Sequence, residues 1–157
     1  MCEHCGCRGV EPIAELMDEH YELLDEAHAL RHALAAGDRS AASEIVDRLA
    51  KHLDVHVQRE EHGIFAALRD DGEFLEEVEA LEREHAAFDT AMDALDPLAL
   101  DFEHGVADLL RELEEHVARE NLGIFPVSVV TLGAAGWNRI ELAREMFPTF
   151  LERGDPA

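Results

Sequence analysis

Apolar residues recur at a 3.6-residue period along four long segments of this chain, and the breaks between those segments are short. Pro12 suits the first turn of a helix, and Ile13, Leu16, Met17, Leu23, Leu24, Ala27, Leu30 and Leu34 follow it on one stripe. Gly37 closes that segment, and Asp38 or Ser40 is placed to cap the next. The second carries Ile45, Leu49, Leu53 and Ile64 and ends at the turn signal Asp70-Asp71-Gly72. The third carries Phe74, Val78, Leu81, Phe88, Met92 and Leu95 up to Asp96-Pro97. The fourth starts between Asp96 and Asp101, carries Leu109, Leu113 and Ile124, and meets a stop at Gly123 or Pro126. Short connections make sequential helices antiparallel neighbours, so the expected fold is all-α, an up-down-up-down four-helix bundle.

The bundle is expected over residues 11–126. Residues 1–10 form an irregular, cysteine-containing N-terminal arm with no core pattern of its own. Residues 127–157 hold a Gly-rich break and then a short C-terminal helix around Trp137 to Met146, expected to pack on the bundle with Trp137 as its anchor.

Charge narrows the partners. The chain has 36 acids against 13 bases, for a formal charge of −23, and Lys51 is its one lysine. Such a surface repels phosphate backbones and anionic lipid, so no nucleic-acid or membrane partner is expected. The stretch MCEHCGCRGVEPI lacks an apolar signal core, and no apolar run is long enough to span a bilayer; the expected location is cytoplasmic. Cys2, Cys5 and Cys7 are too few and too crowded to staple the body of the fold. With His4 they form a C-x-x-C-x-C arm that suits a metal clip, a reversible disulfide, or free thiols on a tail.

Polar residues interrupt the apolar stripes at inward positions. In the second segment the stripe reads Leu49, Leu53, His56, Glu60, Ile64, and in the fourth Leu109, Leu113, His116, Glu120, Ile124. The surrounding sequences, HVQREEHGIF and HVARENLGIF, are a repeat. A His and a Glu four residues apart share one helix face, about 6 Å apart along the axis, close enough to hold one metal or to bridge two. The first and third segments each add one inward histidine after a glutamate, Glu19-His20 and Glu84-His85. The midpoint of His20 and His56 falls at Asp38, that of His56 and His85 at Asp70-Asp71, and that of His85 and His116 at Leu100-Asp101. Each midpoint lies in a turn, so in antiparallel neighbours all four histidines stand at one level.

Four imidazoles and two carboxylates at one level of an apolar interior point to metal, because uncompensated buried carboxylates cost several kcal/mol each. The set is too large for one tetrahedral zinc and too rich in nitrogen for calcium or magnesium. Two iron ions sharing bridging carboxylates fit it, with manganese or zinc as substitutes. The ferritin-like carboxylate sites use Glu-x-x-His; here the order is His-x-x-x-Glu, which argues against that family.

The pattern H…HxxxE…H…HxxxE over about residues 11 to 126 resembles the hemerythrin-like, or HHE cation-binding, family. The resemblance implies a non-haem di-iron centre within the bundle, with oxygen or related small molecules as ligands. It implies His20, His56, Glu60, His85, His116 and Glu120 as the metal ligands, Glu60 and Glu120 being the bridging candidates. The oxygen carriers of that family have a fifth histidine on the third helix. Here the neighbours of His85 at that spacing are Leu81 and Asp89.

Three functions therefore stand open: oxygen sensing, storage or delivery; a di-iron enzyme decomposing peroxide or nitric oxide; and iron storage or metal homeostasis. The expected partners are a small diatomic or peroxide ligand and a redox partner protein. His52, one turn before His56, and Asp89 are the candidates to replace the absent histidine. His62, six residues after His56, points elsewhere; His28, His32 and His104 read as surface or boundary residues, and Tyr21 as boundary packing. Arg59 and Arg119 are expected to pair with acids on the surface. Gly63 and Gly123 are expected to permit close helix approach.

Overall fold

The computed structural model describes residues 9–151, and every regular element among them is helical. Cys2, Cys5 and Cys7 lie outside the described residues. The elements are α1 (Glu11–Ala35), α2 (Arg39–Glu60), a π-helical turn (Glu61–Phe65), α3 (Ala66–Asp71), α4 (Leu75–Ala94) and α5 (Phe102–Arg119). A second π-helical turn (Glu120–Ile124), α6 (Phe125–Thr131) and α7 (Ala134–Met146) complete the order. Since each π turn continues directly into the next helix, α2 runs through to α3 and α5 through to α6.

The ends follow from local chemistry. Pro12 occupies the first turn of α1, where its missing N–H costs nothing. Gly37 takes a left-handed conformation at φ +70°, and the Asp38 amide bonds back to the Ala33 carbonyl at 2.9 Å. The Asp38 carboxylate then accepts from the Ala41 amide at 3.0 Å and caps α2. Gly72 repeats the left-handed exit at the end of α3. Phe74 precedes α4 rather than opening it, and adopts φ +55°.

Neither Gly123 nor Pro126 stops the fourth segment. Gly123 sits inside the π turn, and Pro126 falls in the first turn of α6, where an absent amide proton is tolerated. The C-terminal helix forms at Ala134–Met146, and Trp137 is partly buried against the core with its indole N–H donating to the Leu132 carbonyl at 3.1 Å.

α1 packs against α2 and α5, and α4 against the same two, closing a ring of four helices. Partners on α1 and α2 run in opposite senses: Glu15 with Arg59, Glu19 with His56, Glu26 with Arg48. The apolar core forms two clusters. One gathers Leu16, Ile64, Phe65, Leu68, Leu81 and Phe125, and the other Leu23, Leu49, Leu53, Phe88, Leu109 and Leu113. Between them, on every helix of the ring, lies a layer of histidine and glutamate.

Candidate metal centre

His20 on α1, His56 and Glu60 on α2, His85 on α4, His116 on α5 and Glu120 in the second π turn are all buried, and the structure brings all six together. Their ligand atoms form two groups, His20–His56–Glu60–Glu120 and Glu60–His85–His116–Glu120, each with its atoms within 4.8 Å of one another. The glutamates are common to both groups.

Each carboxylate offers one oxygen to each pair of imidazoles. Glu60 Oε1 lies 3.0 Å from His56 Nε2 and 3.6 Å from His20 Nε2, while its Oε2 lies 3.4 Å from His85 Nε2. Glu120 Oε2 lies 3.0 Å from His20 Nε2, and its Oε1 3.0 Å from His116 Nε2 and 3.7 Å from His85 Nε2. The Nε2 atoms of His85 and His116 face each other at 3.0 Å. Yet His20 Nε2, His56 Nε2 and all four carboxylate oxygens make no hydrogen bond among the described residues. Native interiors rarely leave so many polar atoms unsatisfied in one place. Imidazole nitrogens converging on two shared carboxylates are a donor set that metal ions take, and these residues fit a metal site.

Without a metal, protons and ion pairing hold the layer together. Burial pushes the His20 imidazole down, but Glu120 and Glu60 beside it outweigh burial and push it up to about 10. At His85 burial again works downward, and Glu120, Glu60 and Glu61 push it up to about 12. His56 is also raised, by Glu60 and Glu19 against burial. Burial pushes the Glu60 carboxyl up, but His56, His20 and His85 hold it well below the usual carboxylate range. Glu120 is likewise lowered, with His116 and His20 overcoming burial and the repulsion of Glu60.

The second nitrogen of every imidazole is tied as well, which fixes the ring and its tautomer. His56 Nδ1 meets Glu19 Oε2 at 2.6 Å, and His116 Nδ1 meets Glu84 Oε2 at 2.5 Å. His85 Nδ1 meets Glu61 Oε1 at 2.9 Å, and His20 Nδ1 meets Asn121 Oδ1 at 2.8 Å. The phenyl ring of Phe65 stacks on His85, and that of Phe125 on His20, with centroids 5.5 and 5.4 Å apart.

These contacts account for the repeated His, Arg, Glu and Phe. In each copy the His and the Glu point inward, the arginine three residues after the His grips the glutamate that orients that His, and the residue after the inward Glu orients the lone histidine of a neighbouring helix. The phenylalanine stacks on that same lone histidine. The π turn supplies the register: its i→i+5 bonding accommodates one extra residue, so that Ile64 with Phe65, and Ile124 with Phe125, are buried side by side.

Sequence reading did not assign Glu61, Asn121, Phe65 or Phe125 to the site, nor Glu19 and Glu84 as orienting groups. Their signal was present in the paired Glu-His dipeptides and in the repeated positions. Arg119 pairs with Glu84 at 2.7 Å on the surface as expected, being 55% exposed. Arg59 does not: it is 3% exposed and clasped by Glu15 and Glu19 under the C-terminal segment. Gly63 does permit close approach, since a Cβ there would stand 3.2 Å from the Ala143 Cβ of α7; a Cβ at Gly123 would meet nothing within 4 Å among the described residues.

Neither candidate for the absent histidine joins the cluster. His52 turns to Glu26, at 2.7 Å, and stacks on Phe150. Asp89 lines an outer cavity. His28, His32 and His104 are on the surface, Tyr21 is on the outer face, and His62 bonds to the Gln58 carbonyl.

No helix among the described residues is long and apolar enough to cross a membrane. Comparison with curated proteins and with solved structures gave no significant match. A family model does match, that of the hemerythrin HHE cation binding domain, over residues 11–128. That span takes in both repeats, all four helices of the ring and every residue of the buried layer, and the chain belongs to the hemerythrin HHE cation-binding family.

Proposed function

We propose that this chain is a non-haem di-iron protein that binds dioxygen or a related small molecule, in sensing, storage or delivery. The observation that carries the reading is the division of labour at Glu60 and Glu120, each of which offers one oxygen to each of two imidazole pairs. Two equivalents of a metal that takes both nitrogen and oxygen ligands satisfy every orphaned atom of the layer, and iron is the metal whose redox chemistry suits a small oxidising ligand. His20 and His56 would hold one ion and His85 and His116 the other, with Glu60 and Glu120 between them. When bound, such a pair supplies an open coordination position and the capacity to exchange electrons with the ligand.

The chain's own residues prepare that position. Glu19, Glu84, Glu61 and Asn121 keep the imidazoles aimed inward, and the two apolar clusters exclude bulk water above and below the layer. Up-down-up-down order of the four bundle helices belongs to the same reading, supported by the opposed running of partners on α1 and α2.

A specific observation favours a second reading, an enzyme that decomposes peroxide or nitric oxide. His85 has no second histidine on α4, and it stands in the wall of a cavity of about 450 Å³ between α2 and α4, reached past Asp54, Glu61 and Asp89. That opening would admit a ligand and release a product. A redox partner protein would then supply electrons.

The visible spectrum of the iron-loaded protein, followed through addition of oxygen, peroxide and nitric oxide, tests both. Reversible change under oxygen with no product supports binding, and steady evolution of oxygen from peroxide supports the enzyme. A colourless protein that ignores all three would remove both readings.

A further inference from the structure

A stripe of carboxylates runs down one face of α1, Glu15, Glu19, Glu22 and Glu26, and on α2 it is met by Arg59, His56, His52 and Arg48. Most of this seam is committed: Arg59 clasps Glu15 and Glu19, and Glu19 orients His56. Its far end is not. Glu26 is 4% exposed, and only its Oε1 is engaged, by Arg48 Nε at 3.0 Å and with His52 Nδ1 lying 2.7 Å away. Glu26 Oε2 has no partner among the described residues, and His52 Nδ1 makes no aligned hydrogen bond. Glu26 and His52 line a cavity of about 540 Å³ together with Glu22, Arg48, Phe150 and Leu151, and Phe150 stacks on His52 with centroids 4.4 Å apart.

An ion pair alone does not explain this arrangement. Arg48 gives one nitrogen to one oxygen of Glu26 and is itself half exposed, so it leaves the second oxygen without the two-pronged pairing that an arginine fork can supply. A buried carboxylate oxygen without a partner carries an unrecovered desolvation cost. Glu26 and His52 meet across a helix seam and offer one oxygen and one nitrogen donor, and Glu22, one helical turn before Glu26, lines the same cavity and needs a turn of its exposed side chain to join them. Divalent transition ions take such a set, and calcium and magnesium, which prefer oxygen alone, do so poorly.

We infer that Glu22, Glu26 and His52 form a further site for a divalent transition-metal ion, on the α1–α2 seam and separate from the buried His–Glu layer. The ion takes Glu26 Oε2 and the His52 imidazole, with Glu22 closing from the open side. Phe150 fixes the plane of the ring, and Arg48 competes with the ion for Glu26. Three protein ligands and a competing guanidinium make the site weaker than the centre. It shares no ligand with the centre, so it stands or falls independently of the di-iron reading.

Zinc ion is a suitable probe, titrated calorimetrically into the full chain. Glu26→Gln and His52→Asn are each expected to abolish one weak binding event and leave the others in place. Glu22→Gln is expected to weaken that event about tenfold, as loss of one charged ligand does. Arg48→Ala is expected to strengthen it several-fold, which a purely structural role for Glu26 would not produce. Glu22 and Arg48 are exposed enough for their variants to fold, so they decide the matter even if Glu26→Gln does not fold. Zinc isotherms that are the same for the unaltered chain, Glu22→Gln and Arg48→Ala would overturn the site. A chain whose centre takes no zinc would still show the weak event, and its response to Glu22 and Arg48 would still be read.

Discussion

The two halves of the buried layer are built from the same motif and sit in different surroundings. At His56 the orienting glutamate, Glu19, is fully buried, holds Arg59 as well as His56, and accepts a hydrogen bond from Thr149 Oγ at 2.6 Å. At His116 the corresponding glutamate, Glu84, is 27% exposed, and its arginine, Arg119, is 55% exposed. The difference comes from the C-terminal segment. α7 packs on the first π turn through Gly63, Arg144 reaches Glu11 and Glu15, and Thr149 reaches Glu19; among the described residues nothing corresponding packs on the second π turn at Gly123. A motif thus specifies which groups meet, while the segments packed over it decide what those meetings contribute.

The largest expected effect falls on what the halves have in common. Glu120→Ala removes an oxygen from both imidazole pairs and should empty the centre of iron, whereas His104→Ala, on the surface, should leave the iron content as it was; iron per chain by elemental analysis gives the answer. Equal retention in the two variants would break the assignment of Glu120 to the centre.

Next comes the contrast between the halves. Glu19→Gln leaves Arg59 in a dry environment with Glu15 as its remaining charged partner among the described residues, and loss of one charge from a buried cluster costs about 3 kcal/mol. Glu84→Gln changes a partly exposed pair and should cost about 1 kcal/mol or less. Chemical denaturation of both metal-free variants measures the gap; equal losses would mean that the C-terminal cover is energetically idle.

Acidity sharpens the comparison between the metal-free and metal-loaded states. His20 and His85 have raised values, so their contribution to metal-free stability is complete below about 6.5 and declines as pH rises toward about 10 and beyond. Glu60 and Glu120 have lowered values, so theirs is complete above 4.5 and is lost on acidification. The metal-free protein should therefore be most stable between these limits. Metal replaces the protons, so loading should remove the alkaline decline while leaving the acid one. Melting temperatures across pH with and without iron would show it, and parallel profiles would count against the proton-held layer.

The smallest expected effect separates the two glycines. Gly63→Ala crowds Ala143 and Ile140 on α7 and should cost about 1–3 kcal/mol, whereas Gly123→Ala meets nothing within 4 Å among the described residues and should be neutral or slightly stabilising. Thermal melts of the two variants suffice, and equal shifts would show that α7 gives way at Gly63.

Much of the layer was legible because polar residues took positions where the helical period demands apolar ones, and because the turns place His20, His56, His85 and His116 at one height. The orienting residues were harder to see. Glu19, Glu61 and Glu84 are three acids among 36, and nothing in local propensity separates them from solvated surface acids. Only the matching of Glu19-His20 with Glu84-His85, and of Glu61 with Asn121 in the repeat, carries the signal. The π turns were not legible, since i→i+5 bonding has no propensity of its own, and Gly123 and Pro126 looked like a helix end. Burial of Arg59 was hidden for another reason: its sequence neighbourhood matches that of Arg119, and the distinction lies in Arg144 and Thr149, far along the chain.

The central claim is that Glu60 and Glu120 join two metal ions into one centre. Mössbauer spectroscopy of protein loaded with iron-57 tests it most directly. The account predicts about two irons per chain, antiferromagnetically coupled when both are ferric and so without a paramagnetic ground state. A single iron, or two irons that behave as isolated high-spin ions, would contradict it.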